Sequence, residues 1–437
     1  MMRFSDQFRT GWRNLSRQKL RTTLTIFAIV IGAVSVTVML SLVTSAKSFL
    51  VSSAQKTGMD KRVIVTGSTG LDYRESTWNW PDGSGKRIDK DTLEAVTKLP
   101  HVASATLYSQ VQMIRSFVLE STNQELEFKN LSFEAYTPNG TIKHLLVAGE
   151  ELSEKTNGTG ILVTTGVAND LGFKGRESEL VGQKLVLKFR TDMGPPDARK
   201  ADETAVITGV VMGENGDGLS VDLEWAVRMN TMEWTQKGPN GQTETMKESQ
   251  IDRYGYSSVW VSLDDKKNAD ALMAEVAKLG YGAAAGQEEI DTQATVFTII
   301  GAVLGGIGGI ALLVAAIGVI NTMVMATLER TREIGIMRAI GATKRTVRRL
   351  FRVEAGVLGF MGGLFGVAIS FGVAIGLNQL LNKQLEDSGI TDRDIVSISP
   401  VIALVVLLIT TLIGMLAGSL PARRAANMDP VEALRYE

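Results

Sequence analysis

Four long stretches of this sequence contain no Asp, Glu, Lys or Arg. They cover 22–46, 292–328, 355–382 and 395–422, or 25, 37, 28 and 28 residues. A helix needs about 20 predominantly apolar residues to cross the hydrocarbon core of a bilayer. A buried core helix is the soluble alternative, but four such windows in one chain are rare in soluble domains. A cleaved leader is the alternative for the first window, with the small residues Thr44 and Ala46 before a cut. Its 25 residues exceed the usual apolar stretch of about 7–15. The pattern predicts a helical membrane protein with spans at 22–46, within 292–328, at 353–382 and at 397–421. The second window of 37 residues would make a helix about 55 Å long against a core of about 30 Å. Its polar start at Thr292, Gln293, Thr295 and Thr298 reads as a stalk leading into the span.

Charge sets the orientation. Residues 1–21 carry Arg3, Arg9, Arg13, Arg17, Lys19 and Arg21 against Asp6 alone. The loop 329–352 carries Arg330, Arg332, Arg338, Lys344, Arg345, Arg348, Arg349 and Arg352. The loop 383–396 is acidic, with Glu386, Asp387, Asp392 and Asp394 against Lys383 and Arg393. The positive-inside rule places both termini, the tail 422–437 included, and the loop 329–352 in the cytoplasm, with 47–291 and 383–396 outside. The whole chain is balanced, 46 Lys and Arg against 47 Asp and Glu, which argues against a nucleic-acid binder. It has no cysteine, so disulfides, thiolate metal sites and cysteine nucleophiles are excluded.

The segment 47–291 reads as an α+β domain. Strands are predicted at 62–66, 102–114 and 257–263, and helices at 89–99, capped by Asp89, and 264–279. Strand and helix at both ends of one segment point to a single α+β part interrupted by an insertion at about 125–250. The insertion is strand-like at 160–164, 184–189 and 205–212, and reads as a small β-rich subdomain. The N-terminal arm 1–21 reads as an interfacial amphipathic helix. Phe4, Phe8, Trp12 and Leu15 lie on one face, and Arg9, Arg13 and Arg17 on another.

Catalytic patterns are missing. Gly83-Ser84-Gly85-Lys86-Arg87 lacks the upstream glycine and the hydroxyl residue after the lysine that a phosphate-binding loop requires. His101 and His144 stand isolated in the sequence. The stretch 213–224 resembles a calcium loop at Asn215, Asp217, Gly218 and Glu224, but Gly213 stands where the first acid belongs. It reads as a polar hairpin loop. Trp78, Trp80, Trp225, Trp234 and Trp260 read as core residues. The uncharged windows hold no ionisable group, which argues against an ion-coupled transporter and leaves no polar route through the bilayer. Gly301, Gly305 and Gly309 recur at four and permit close helix contact, within the chain or with a second copy.

The most informative piece is the loop 329–342. Glu329, Arg330, Arg332 and Glu333 charge its start, Ile334, Met337 and Ile340 are spaced by three, Arg338 follows Ile334 by four, and Gly341 ends the pattern before Ala342. It reads as a short amphipathic helix, either lying on lipid headgroups or docking into a cytoplasmic motor.

Three motifs carry a family resemblance. The first is Trp12-Arg13-Asn14-Leu15-Ser16-Arg17-Gln18-Lys19-Leu20-Arg21-Thr22-Thr23-Leu24-Thr25, running into Ile31-Gly32. The second is 329–342 with Gly335, continuing to Glu354-Ala355 and Gly362-Gly363-Leu364-Phe365-Gly366. The third is Pro421-Ala422-Arg423-Arg424-Ala425-Ala426, then Asp429-Pro430-Val431-Glu432-Ala433-Leu434-Arg435. With the one-plus-three span layout they resemble the MacB/FtsX-type permeases of ATP-binding-cassette (ABC) transporters. The external segment resembles that group in layout only, a porter-like α+β part holding a β-rich insertion.

The resemblance implies a multi-pass protein of the bacterial cytoplasmic membrane and a permease subunit without a fused ATPase domain. It implies a homodimer, or a heterodimer of similar chains, with an ABC ATPase subunit that binds ATP and Mg. This chain would itself hold no cofactor and catalyse no reaction. An extracytoplasmic adaptor protein and membrane lipid complete the implied partners. Residues 329–342 would form the ATPase-coupling helix, and motion would pass to the external domain by mechanotransmission. Three roles stay open: extrusion of a peptide, antibiotic, lipid or lipoprotein from the outer side of the membrane; FtsX-like regulation of a cell-wall hydrolase; and antimicrobial-peptide sensing or resistance.

Overall fold

The computed structural model describes residues 19–67, 86–110, 114–127, 132–153, 158–189, 202–213, 218–229, 231–237, 242–249, 251, 255–385 and 395–428. The arm before residue 19, most of the acidic loop 383–396, the tail after residue 428, Trp78, Trp80 and Gly83 to Gly85 lie outside them. The chain forms two compact units. One holds the chain through Ser48, Thr295–Leu381 and the C-terminal helices; the other holds Phe49–Ala294.

Helix α1 (Lys19–Thr57) begins before the first apolar window and runs well past it. Gly58, at φ 71, ends it. This left-handed conformation is one that glycine adopts without strain.

The Phe49–Ala294 unit is built on a mixed sheet. Its elements in chain order are β1 (Arg62–Thr66), α2 (Lys90–Thr97), β2 (Val102–Gln110), β3 (Ile114–Leu119), β4 (Gln124–Glu127), β5 (Ser132–Tyr136), β6 (Leu146–Gly149), β7 (Gly160–Thr164), α3 (Thr165–Asp170), β8 (Lys184–Phe189), β9 (Glu203–Val211), β10 (Gly218–Asp222), α4 (Leu223–Met229), β11 (Thr231–Lys237), β12 (Thr243–Ser249), β13 (Ser258–Leu263), α5 (Ala269–Lys278) and β14 (Gly282–Ala285). The sheet order is β14-β1-β13-β2-β5-β10-β7-β9-β8-β3-β4, with β6 on β9, while β11 and β12 form a separate hairpin. The porter-like strands β14, β1, β13 and β2 and the strands of the insertion therefore share one sheet, joined where β2 meets β5.

Alternation along each strand sorts the side chains between two faces. Val63, Val65, Leu107, Phe133, Ala135, Val259 and Val261 join α2, α4 and α5 in the main core through Val96, Trp225, Leu272 and Val276. Their neighbours Ile64, Tyr108, Tyr136 and Trp260 form a second cluster with Ile142 and Leu152. Tyr108 stacks on Trp260 at 4.3 Å, and the Arg62 guanidinium lies 4.6 Å over the same indole. His144 Nδ1 lies 3.2 Å from Glu151 and 3.4 Å from the Tyr136 hydroxyl. Burial raises the pKa of Glu134 on β5, against the opposing effects of His144, Tyr108 and Arg62.

Local sequence explains the helix starts. Asp89 caps α2 by accepting from the Thr92 N–H at 2.9 Å, which lowers its own pKa. The predicted helix 264–279 is a 3-10 turn at Lys266–Asn268 followed by α5. Within it Asp264 is held down to about 2 by the Asn268 amide, the Asp265 N–H and His101. The stretch 213–224 differs from the polar hairpin expected of it: Gly218–Asp222 is the interior strand β10, paired on both sides, because Leu219 and Val221 alternate into the core.

The helical unit continues with α6 (Gly286–Glu329), α7 (Thr331–Ala339), α8 (Lys344–Leu385), α9 (Pro400–Ala417) and α10 (Ser419–Asn427). Four helical stretches, Thr22–Thr57, Gly286–Glu329, Lys344–Asn382 and Pro400–Asn427, are long and apolar enough to cross a membrane. Glycine lets these helices approach. A Cβ on Gly362 would meet Ile29 at 2.6 Å and one on Gly366 would meet Ala33 at 2.5 Å, so α8 packs closely on α1. Cβ atoms on Gly359 and Gly363 would collide with Thr410, so α8 also packs closely on α9. Buried hydroxyls pair: Thr25 and Thr322 meet at 2.5 Å between α1 and α6. The Asn378 amide clasps the backbone of Val396, donating at 3.1 Å and accepting at 2.7 Å.

Candidate functional site

α6 runs unbroken for 44 residues, about 66 Å at 1.5 Å per residue. It stops at Glu329. Arg330 leaves helical geometry at φ −108 and ψ 18, and α7 begins at Thr331. The Thr331 hydroxyl donates back to the Leu328 carbonyl at 2.7 Å. At the other end, Gly341 N–H donates to the Arg338 carbonyl at 3.1 Å and Ala342 N–H to the Met337 carbonyl at 2.9 Å. This pair of bonds is a Schellman stop, and Gly341 takes the left-handed position, φ 99, that the stop requires. Thr343 then caps α8 by accepting from the Thr346 N–H at 3.2 Å. α7 is thus a separate nine-residue helix between two long ones.

Its two faces differ. Ile334 is 1% exposed and joins Phe351, Val347, Ala355, Ala422, Ala425 and Ala426 in one apolar cluster, with Met337 against it. Gly335 is buried too. The small residues of α10 at 422, 425 and 426 share one helical face, so the first part of the third sequence motif joins the cluster that buries Ile334 of α7. Glu329, Arg332, Glu333, Ile336, Ala339 and Gly341 are exposed, and Ile340 is 81% exposed. Arg338 and Ala342 are half-buried.

Two placements differ from the sequence reading. Ile340 does not share the face of Ile334 and Met337. At about 100° per residue a spacing of six carries it 120° away. Arg330 turns inward: its guanidinium meets the Glu354 carboxylate of α8 at 3.0 Å, with Glu354 2% exposed. Sequence reasoning missed Ile336 as an exposed apolar residue and Glu354 as a partner of Arg330. The signal for Glu354 was its position as the last charged residue before an uncharged window of 28 residues.

The three glycines of α6 also separate. A Cβ on Gly301 would meet Val43 of α1 at 3.1 Å, one on Gly305 would meet Leu40 at 3.8 Å, and one on Gly309 would meet nothing within 4 Å. Among the glycines of α6 the tightest contact with α1 is instead at Gly308, where a Cβ would lie 2.5 Å from Val36.

Comparison with known proteins agrees with this architecture. Residues 22–279 match the MacB-like periplasmic core domain, and residues 305–430 match the C-terminal domain of FtsX-like permeases. The chain is 25% identical to the ABC transporter permease YtrF of Bacillus subtilis, over all of both chains. It is 27% identical to the macrolide export ATP-binding/permease protein MacB of Hahella chejuensis, over all of this chain and 61% of that one. It is 35% identical to the uncharacterized ABC transporter permease YknZ of Bacillus subtilis, over 40% of this chain and 43% of that one. Four apolar helices, a mixed α/β domain of the periplasmic type and two family matches covering both units lead to one assignment: the chain belongs to the MacB/FtsX-like family of ABC transporter permeases.

Proposed function

We propose that this chain is the permease subunit of an ABC-type exporter that works by mechanotransmission. A separate ABC ATPase subunit, holding ATP and Mg, docks on α7. Movement of that subunit shifts α6, and the extracytoplasmic domain then extrudes a peptide, antibiotic, lipid or lipoprotein from the outer side of the cytoplasmic membrane. Both termini face the cytoplasm in this reading, following the basic flanks of the spans. Two copies of the chain work together, and an extracytoplasmic adaptor protein is compatible with the arrangement.

The observation that carries this reading is the division of α7 into a buried face and an exposed one. Ile334 and Gly335 anchor it in the helical unit, while Arg332, Glu333, Ile336 and Ile340 are exposed. Two isoleucines among charges on a free helix face fit a protein groove better than water. The absence of ionisable residues in the apolar windows supports work done outside the bilayer in place of passage through it.

The test is co-purification of the full chain with the ABC ATPase subunit from the same cells. Ile336→Asp and Ile340→Asp should each weaken association about tenfold, the loss of an anchor residue in an interface core. Undiminished association in the double variant would count against docking at α7. ATPase stimulation in proteoliposomes by a panel of peptides, lipids and macrolides then ranks the substrate classes.

A further inference from the structure

A force transmitted along a helix is lost at the first bend that can rotate. The path from α6 into α7 has such a bend at Arg330, where the backbone leaves helical geometry. Contacts on both sides hold it. The Thr331 hydroxyl reaches back to α6 at Leu328, and Ile334 is buried in the apolar cluster. One contact crosses to another helix with a direction: the Arg330 guanidinium reaches the Glu354 carboxylate at 3.0 Å, with side-chain exposures of 15% and 2%.

A pair this buried is a poor choice for stability alone. Removing two charges from water is costly, and replacing such a pair with apolar groups is often neutral or stabilising. The second oxygen of Glu354 has no hydrogen-bond partner among the described residues, so the site is not optimised as a closed polar network. What an ion pair provides and an apolar contact does not is a fixed geometry. We propose that the Arg330–Glu354 pair is a brace that locks α7 to the cytoplasmic end of α8, making both residues positioning residues for coupling and not contacts of the ATPase. The role in coupling rests on the docking of an ATPase at α7; the brace itself does not.

The absence of cysteine makes the test direct. Spin labels at Ile340→Cys and Arg349→Cys, both exposed positions, report the placement of α7 against α8 in the full chain in lipid nanodiscs, diluted with unlabelled copies. The parent should give one narrow distance. Arg330→Gln and Glu354→Gln should each broaden it, and the double Gln variant should be no broader than the worse single one, the non-additivity of residues in one pair. An unchanged width in either single variant, or additive broadening, overturns the brace. If the Gln variants fail to fold, Arg330→Lys decides, because it keeps the charge but not the planar fork: a broadened distance supports the brace and an unchanged one overturns it.

A second arm moves the first label off the docking face, from Ile340 to Leu328→Cys at the exposed end of α6, and adds the ABC ATPase subunit and ATP. Arg330→Gln should still bind that subunit, because the exposed face of α7 is untouched, yet lose ATP-driven change in the label distance about tenfold, the scale of coupling changes made away from both sites. An ATP-driven change equal to the parent's overturns the coupling role. Failure of the parent itself to bind the subunit removes the docking reading, while the label widths still decide the brace.

Discussion

α6 and α8 are both helices of more than 40 residues rich in glycine, and their glycines serve different ends. In α8, Cβ atoms on Gly356, Gly359, Gly362, Gly363 and Gly366 would run into Met415, Thr410, Ile29 or Ala33. Two adjacent sides of that helix are closed by α9 and α1. In α6 Gly308, and more loosely Gly301 and Gly305, face α1, while Gly306, Gly309 and Gly318 meet nothing within 4 Å. The spanning windows agree: over an 18-residue apolar stretch of each, 39% is buried in α8 against 22% in α6. The difference teaches that one helix is a fixed wedge and the other is attached along a single side. In a device that moves, α6 is the part free to do so.

That contrast can be broken by substitution, and the largest effect belongs to the wedge. Gly363→Leu must push α8 away from Thr410 and should cost about 3 kcal/mol, the upper range for overpacking; yield and thermal unfolding of the purified chain would show it. Gly308→Val meets one residue, Val36, at its side chain and its Cα, and should cost about 1–2 kcal/mol by the same measurement. Gly309→Leu should leave folding intact. If the open face of α6 meets a second copy, it should weaken the dimer about tenfold, read by cross-linking in membranes. The smallest effect, with the opposite sign, is Gly306→Ala, which should stabilise the helix by about 0.5–1 kcal/mol because alanine loses less backbone freedom than glycine. Destabilisation by Gly306→Ala would mean that face is occupied.

The spans were legible in the sequence and their ends were not. Lipid tolerates no charge, so uncharged windows locate what the bilayer holds. Helix formation has no such limit. α1 continues through Lys47 to Thr57, α6 begins at Gly286 and takes in Glu288, Glu289 and Asp291, and α8 begins at Lys344 among the arginines. The last span, read as one piece, is divided at Gly418 into α9 and α10. Short strands with strong alternation, Arg62–Thr66, Gly160–Thr164 and Lys184–Phe189, lie at the predicted positions. Their joining into one sheet was hidden, since pairing of β2 with β5 is a contact between distant segments. At the candidate site, Gly341 was legible because a helix stop has a local signature. Arg330 was not, because its carboxylate partner lies 24 residues on, and nothing local distinguishes an inward arginine from an outward one.

The seam between β2 and β5 has a mechanical consequence. Tyr108–Tyr136, Ser109–Ala135 and Gln110–Glu134 are among the rungs that join them, so the porter-like and inserted strands are linked by a hydrogen-bonded ladder and not by a tether alone. A displacement of β1 or β14 would be handed from ladder to ladder as far as β10, tilting both parts of the domain as one plate.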